Sequence, residues 1–276
     1  MSSSAEARKC SVRRRTIDVG GVQLSVLEAG DGPALVLVHG SVTTSELFRP
    51  TLEHFSDRYR CVAVDLRGYG QSDKPGVGYT MQQFSNDLEA LFDALRLDNI
   101  ALVGVSMGGF VVQRFALDHQ ERLAGLVLCA TSDGELTPGL VDDDDPSDAV
   151  KRAGWRDFSE QMISGAFPPT TDPGIVEALI ARVGTWNEDV IIGACRSFKE
   201  FSSRGLWQNI KVPTLIMAGT EDRQLPVLFS QRMEREIPNS RLEIFNGIGH
   251  FMMVEDPVHF YGSLGGFLAQ LHRSSE

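Results

Sequence analysis

A serine between two glycines constrains the fold of this chain more than any other feature of its sequence. Gly104-Val105-Ser106-Met107-Gly108 follows an apolar run and precedes a helical pattern that begins near Phe110. Glycines on both sides of the serine allow a strand to pass into a helix through a sharp turn with a strained central residue. Such a turn exposes the serine hydroxyl beyond the strand end, so the segment predicts a strand–turn–helix unit with Ser106 as a candidate nucleophile.

The rest of the chain repeats the alternation of strand and helix. Its strand-like runs are apolar without a two-residue alternation, which is typical of strands that are buried on both faces in parallel sheets. They lie at residues 16–19, 22–29, 34–38, 61–64, 100–105, 126–130, 214–218 and 242–245, and helical patterns lie at 81–95, 110–117, 225–237 and 257–271. This order predicts an α/β fold with a mostly parallel, doubly wound, eight-stranded sheet.

One stretch interrupts the alternation. Residues 131–206 contain several prolines, an acidic run at 142–145 and helical segments near 150–163 and 175–201. We predict a helical cap at 131–206 over a core formed by 16–130 and 207–276, with 1–15 as a flexible lead-in. The acidic run is interpreted as a solvated loop, because it lacks the alternating ligand spacing of a calcium site.

Composition excludes several classes of function. The net charge is −11 and the sequence pI about 5.0, which disfavours nucleic acid and anionic membrane surfaces as partners. No stretch approaches a membrane span, and the N-terminus lacks the apolar part of a signal peptide.

The four cysteines, Cys10, Cys61, Cys129 and Cys195, have no metal-binding spacing and are expected to be free thiols in a reducing cytoplasm. We expect neither a metal nor a cofactor. The sequence is compatible with a monomer or a homo-oligomer.

A serine nucleophile needs a base, and the base needs a carboxylate to orient it. His250 lies in a glycine-rich loop just after the last predicted strand, and Asp222 follows the strand before it. These positions give the order Ser, Asp, His along the chain. Glu221, adjacent to Asp222, and Asp133, after the strand that ends at 130, are alternatives for the acid.

An oxyanion formed at the serine needs two hydrogen-bond donors. One is expected to be the backbone N–H of Met107, and the other that of Ser41, in the loop after the strand at 34–38. His39 is expected to brace that loop. The hydroxyls of Thr43, Thr44 and Ser45 are interpreted as caps of the helix that opens near residue 46.

Together these motifs resemble the α/β-hydrolase superfamily, in its branch of small capped esterases, lactonases and haloperoxidase-like enzymes. The resemblance rests on His39-Gly40, the segment from Asp65 to Asp73, the Ser106 turn, Gly219-Thr220-Glu221-Asp222 and Gly249-His250-Phe251. It covers about residues 16–271 and is weakest across the cap. It implies that segment 65–73 is structural. Dehalogenases and epoxide hydrolases of this fold have aspartate where this chain has Ser106, so acyl transfer is favoured.

The expected activity is hydrolysis of carboxylic esters through an acyl-enzyme. Lactone hydrolysis, of the enol-lactone or acyl-homoserine-lactone type, would use the same residues, and a cofactor-free haloperoxidase or perhydrolase and a receptor-like binding protein are further alternatives. The stretch Ser41-Val42-Thr43 differs from the extended glycine loop of hormone-sensitive-lipase-type esterases and from that of most C–C bond hydrolases. A mainly apolar pocket for a small ester or lactone is expected between sheet and cap, lined by Phe110, Trp155, Phe167, Trp186 and Phe251.

Overall fold

A single mixed sheet forms the centre of the protein. The computed structural model describes residues 11–138, 146–181 and 188–273. Within them, eight strands pair in the order β1-β2-β4-β3-β5-β6-β7-β8. The strands are β1 Arg13–Asp18, β2 Gln23–Ala29, β3 Ala34–Val38, β4 Arg60–Val64, β5 Ile100–Val105, β6 Leu123–Cys129, β7 Thr214–Gly219 and β8 Ser240–Phe245. β2 runs antiparallel to both of its neighbours, and all other pairs are parallel.

Helices connect the parallel strands. The central strands β3 and β5 are buried at every residue, which explains their uninterrupted apolar sequences. The helices are α1 Arg49–Phe55, α2 Met81–Leu95, α3 Met107–His119, α4 Pro146–Ala153, α5 Trp155–Gly165, α6 Pro173–Ile180, α7 Glu188–Glu200, α8 Val227–Glu236, α9 Met252–Glu255 and α10 Pro257–Arg273. The structure therefore has the doubly wound, eight-stranded α/β architecture that the sequence predicts.

The N-terminal strand begins earlier than predicted. The lead-in was expected to extend to residue 15, but β1 starts at Arg13. Arg14 forms ion pairs with Glu46 at 2.6 Å and with the buried Asp65 at 2.9 Å. These charges are ordered because they face acidic side chains of the core, so residues 13–15 belong to the sheet.

Among the residues that the structure describes, helices α4 to α7 lie between β6 and β7, in the segment where the sequence predicts a cap. A buried glutamine of α3 holds both of the connections to this segment. The Gln113 side-chain amide donates to the Ser132 carbonyl at 2.8 Å, and its oxygen accepts from the Ser203 hydroxyl and the Trp207 indole N–H, each at 2.8 Å. The helices of this segment are thereby fixed to the helix that follows Ser106.

None of the helices in the described ranges is long and apolar enough to cross a membrane. Cys61, Cys129 and Cys195 are buried free thiols. Cys10 and the acidic run at 142–145 lie outside the described residues.

Candidate active site

Ser106 occupies the sharp turn between β5 and α3. Its backbone has φ 55° and ψ −121°, a conformation that residues with a Cβ seldom adopt. The flanking glycines are required by close approach, because a Cβ on Gly104 would lie 2.4 Å from the Gly108 carbonyl oxygen, and one on Gly108 would lie 2.3 Å from that of Val38. The Ser106 N–H donates to the Cys129 carbonyl at 3.0 Å, which ties the turn to β6.

Asp222 and His250 form a buried pair. The Nδ1 atom of the imidazole lies 2.7 Å from Oδ2 of the carboxylate, and both side chains are nearly inaccessible, at 2% and 0%. The other carboxylate oxygen accepts the N–H groups of Gln224 and Leu225, each at 2.9 Å. Three hydrogen-bonding groups thus converge on this carboxylate. The contact at Nδ1 also leaves Nε2 as the nitrogen of His250 that is free to exchange a proton.

The loop that carries His250 folds back over the end of β7. The Glu221 N–H donates to the Ile248 carbonyl at 2.9 Å, and a Cβ on Gly219 would lie 2.2 Å from the Gly249 carbonyl oxygen. This path carries the loop from the end of β8 across the end of β7, the neighbour of β8 on the side where β5 lies. Within the described residues the Ser106 hydroxyl makes no hydrogen bond with His250 in this structure; such bonds commonly tighten only in the substrate complex.

The alternative acids have other surroundings. Glu221 is exposed to solvent. Asp133 is buried but accepts from the Arg204 guanidinium at 2.8 Å and from the Glu135 N–H at 3.0 Å. Of the three candidates, Asp222 is the one in contact with the imidazole.

Two backbone donors lie next to the serine. Ser41 and Met107 are both buried, at 8% and 1% exposure, and within the described residues neither N–H donates to a protein acceptor. Buried N–H groups normally find a partner, so this pair is available to a ligand. Gly40, just before Ser41, lies against the turn, since a Cβ there would be 3.1 Å from the Ser106 Cβ.

His39 braces the loop that carries Ser41. The Leu66 N–H donates to Nε2 at 3.1 Å, so the ring proton lies on Nδ1, which contacts the Gly40 carbonyl at 2.7 Å. Burial lowers the pKa of His39 and keeps it neutral, although the charge of Asp65 opposes this shift. Of the three hydroxyls expected to cap the next helix, that of Thr44 caps the short 3₁₀ helix Ser45–Phe48. The prediction is wrong for the other two, since Thr43 instead accepts the Gly40 N–H at 3.1 Å and, within the described residues, the buried Ser45 hydroxyl has no hydrogen-bond partner.

The aromatic residues predicted to line the pocket differ in their surroundings. Phe110 stacks on Phe201 with ring centroids 5.3 Å apart, and Phe167 packs on Phe251 at 5.4 Å. Phe251 also meets the edge of the His250 ring at 5.1 Å. Trp155 is half-buried, with the Arg156 guanidinium 5.0 Å from its ring centre. Trp186 lies outside the described residues.

Sequence reasoning missed Glu255, whose carboxylate contacts the backbone on both sides of His250. The available signal was a lone acid that ends the apolar stretch Phe251-Met252-Met253-Val254 just before Asp256-Pro257. In the described part of the chain, no group of three or more His, Cys, Asp or Glu side chains could hold a metal ion.

Comparisons with known proteins agree with this architecture. The profile of the alpha/beta hydrolase fold family matches residues 33–162. A 2-hydroxy-6-oxo-2,4-heptadienoate hydrolase from Pseudomonas putida is 29% identical over 270 residues, which cover 92% of this chain and 96% of the relative. The 3-oxoadipate enol-lactonase 2 of Acinetobacter baylyi is 27% identical over 83% of this chain and 86% of its own.

A comparison with a solved structure also supports the α/β-hydrolase fold. A thermophilic esterase from Thermogutta terrifontis superposes with a TM-score of 0.84 and 28% sequence identity, over 94% of this chain and 99% of the esterase. By their printed names, these proteins are a hydrolase, an enol-lactonase and an esterase. The chain therefore has the α/β-hydrolase fold, and its residues 33–162 match the model of that family.

Proposed function

We propose that this hydrolase cleaves carboxylic esters through a covalent acyl-enzyme on Ser106. The observation that carries the proposal is the buried 2.7 Å contact between His250 and Asp222, at the edge of the sheet where the strained Ser106 turn also lies. A serine hydroxyl is a poor nucleophile at neutral pH and needs an oriented base. The pair supplies such a base, because the carboxylate fixes the imidazole with Nε2 unoccupied.

The first half of the reaction forms the acyl-enzyme. Ser106 Oγ attacks the ester carbonyl carbon while Nε2 of His250 takes the hydroxyl proton. The tetrahedral intermediate then collapses, the bond from the carbonyl carbon to the alcohol oxygen breaks, and the imidazolium gives its proton to the leaving alcohol. Asp222 stabilises the transient imidazolium and remains ionised.

The developing oxyanion requires preorganised donors. The N–H groups of Ser41 and Met107 have no protein acceptor within the described residues, and Met107 is the first residue of α3. The positive end of the α3 dipole adds to these two hydrogen bonds. Loss of one such donor typically lowers kcat by about 10²–10³.

Water completes the cycle. His250 takes a proton from water, the hydroxide attacks the acyl carbon, and Ser106 leaves with the proton that the imidazole returns. The net change is one ester and one water converted to one acid and one alcohol.

A lactone is the second candidate substrate, because a lactone is an internal ester and opens by the same steps. The observation that favours it is the similarity to the enol-lactonase of Acinetobacter baylyi. The similarity to the heptadienoate hydrolase adds a 2-hydroxy-6-oxo-dienoate to the compounds that need testing.

The test compares wild type, Ser106→Ala and a matched control, Ser263→Ala. Ser263 is a partly exposed serine of α10. Substrates are p-nitrophenyl acetate and butyrate, an enol-lactone, acyl-homoserine lactones and a hydroxy-oxo-dienoate. We expect ester turnover by wild type and by the control, and its loss in Ser106→Ala, together with loss of labelling by a fluorophosphonate. Equal turnover by wild type and Ser106→Ala would refute the proposal, and turnover of lactones alone would select the second candidate.

A further inference from the structure

We infer that Glu255 is a positioning residue for His250, an inference that rests on the proposed function. Glu255 ends the short helix α9, five residues after the histidine. Its Oε2 accepts the Gly249 N–H at 3.0 Å and its Oε1 accepts the Phe251 N–H at 3.1 Å. One carboxylate therefore spans the two peptide groups that flank the proposed base.

The third N–H of this stretch is held from the cap side. The His250 N–H donates to the Ala166 carbonyl at 3.0 Å, just beyond α5. A Cβ on Gly249 would lie 2.5 Å from the same carbonyl oxygen and 3.2 Å from Glu255 Oε1. The backbone around His250 is thus held by the Ala166 carbonyl on one side and by the Glu255 carboxylate on the other.

Glu255 also connects these two sides. Oε2 accepts a long hydrogen bond, 3.4 Å, from the Thr171 hydroxyl in the cap. The contact joins the cap segment that begins at Ala166 to the loop of the base. Displacement of the carboxylate would therefore loosen the histidine and its cap support together.

The charge of Glu255 matters as well as its shape. Burial raises the pKa of this carboxyl, while hydrogen bonds from Gly249, Phe251 and Thr171 and the charge of His250 lower it in part. An ionised carboxylate can accept both flanking N–H groups, whereas a neutral amide has one acceptor oxygen only. The titratable group that faces Glu255 is His250, with Asp222 bound to Nδ1 of the imidazole.

Two substitutions separate geometry from charge. Glu255→Gln keeps the length of the side chain and removes the charge, so one flanking N–H loses its acceptor. We expect kcat to fall about 10- to 100-fold with KM within about twofold, because misplacement of a catalytic group acts on the chemical step. The acid limb of the kcat/KM profile should move to lower pH, since a negative charge no longer favours the protonated imidazole.

Glu255→Asp is the conservative variant. It restores the charge, and with it the wild-type position of the acid limb, but its shorter side chain cannot reach both N–H groups, so kcat should stay low. Glu243→Gln is the matched control, because Glu243 lies 3.0 Å from His259, another histidine–carboxylate pair of the β8 region. It should leave kcat and the pH profile unchanged.

A readout independent of turnover is the far-downfield proton resonance of the His250–Asp222 hydrogen bond, which should broaden or shift in Glu255→Gln and persist in Glu243→Gln. A folded Glu255→Gln with wild-type kcat, pH profile and resonance would overturn the inference. If that variant does not fold, a wild-type kcat in Glu255→Asp would overturn it instead. Failure of the proposed function is a separate outcome, recognised by equal turnover in Ser106→Ala and wild type. In that case the proton resonance still tests whether Glu255 positions His250.

Discussion

Replacing Ser106 by glycine is expected to stabilise the protein while it removes the proposed activity. The serine backbone, at φ 55° and ψ −121°, is held by surrounding hydrogen bonds. Its carbonyl accepts the Gly109 N–H at 2.8 Å and the Thr131 hydroxyl at 3.0 Å, and its N–H donates to Cys129 at 3.0 Å. Glycine adopts this conformation without steric conflict, so the same contacts can form without strain.

The expected change in the free energy of unfolding follows from two opposing contributions. Relief of a strained backbone is worth about 1–3 kcal/mol, and the greater freedom of glycine in the unfolded chain costs about 0.4–1 kcal/mol. Taken at the middle of their ranges, these two contributions leave a net gain of about 1.3 kcal/mol in the free energy of unfolding. For a chain of 276 residues, with an unfolding entropy of about 2.1 cal/mol/K per residue, this raises Tm by about 1–3 °C.

Ser106→Ala is the control, because it also lacks the hydroxyl but keeps a Cβ and therefore the strain. Thermal unfolding followed by circular dichroism and calorimetry should place Ser106→Gly above Ser106→Ala by the margin given, with both inactive. A glycine variant that melts at or below the alanine variant would show that the turn stores no such strain, and the reasoning would be refuted.

Three further predictions address the base, the turn and an ion pair. Asp222→Asn should remain folded and lose about 10⁴-fold in kcat on p-nitrophenyl butyrate, because asparagine favours the wrong imidazole tautomer; a loss below tenfold would contradict this. Gly108→Ala should lower the urea-unfolding free energy by about 3 kcal/mol or more, since its Cβ meets a β3 carbonyl at 2.3 Å, whereas Gly266→Ala, which meets no atom within 4 Å, should not. A hydrogen bond from Arg49 lowers the pKa of the Glu46 carboxyl from 4.5, and burial partly opposes this shift. The ion pair therefore stabilises the protein above pH 4.5, and this stabilisation is lost as the pH falls through the pKa of Glu46 in the folded state. The difference in unfolding free energy between wild type and Glu46→Gln should thus shrink as the pH is lowered. A difference that does not change with pH would contradict a stabilising ion pair between Glu46 and Arg49.

The buried strands were predictable because each is an uninterrupted apolar run. The run at residues 34–38 coincides with β3, and the run at 100–105 with β5. The start of β1 was missed for a physical reason. An edge strand need not be apolar, and its three arginines are charged residues that sheet edges tolerate.

The candidate site was predictable in part, for a topological reason. Parallel strands end at one edge of the sheet, so residues just after β5, β7 and β8 were expected near each other. The structure brings Asp222 and His250 into contact, and the nucleophilic role of Ser106 stays a prediction. Glu255 and Gln113 could not be found in this way, because they bind backbone groups, and the sequence does not record which carbonyl or N–H lacks a partner.

The short loop before His250 explains why such backbone contacts matter. β5 and β8 are three strand positions apart, a distance of about 14 Å at a spacing of about 4.8 Å. Four residues, 246–249, lie between the end of β8 at Phe245 and His250, and the five Cα–Cα steps from 245 to 250 span at most about 17 Å when extended. The loop turns at residues 246–247 and then crosses the end of β7, where a Cβ on Gly219 would meet the carbonyl oxygens of Gly249 and Ile248 at 2.2 and 2.3 Å. Within the described part of the chain, no backbone hydrogen bond joins two residues of 246–250 to define the course of this loop. The position of the imidazole is consequently set by groups outside the loop, namely the Glu221 amide, the Ala166 carbonyl and the Glu255 carboxylate.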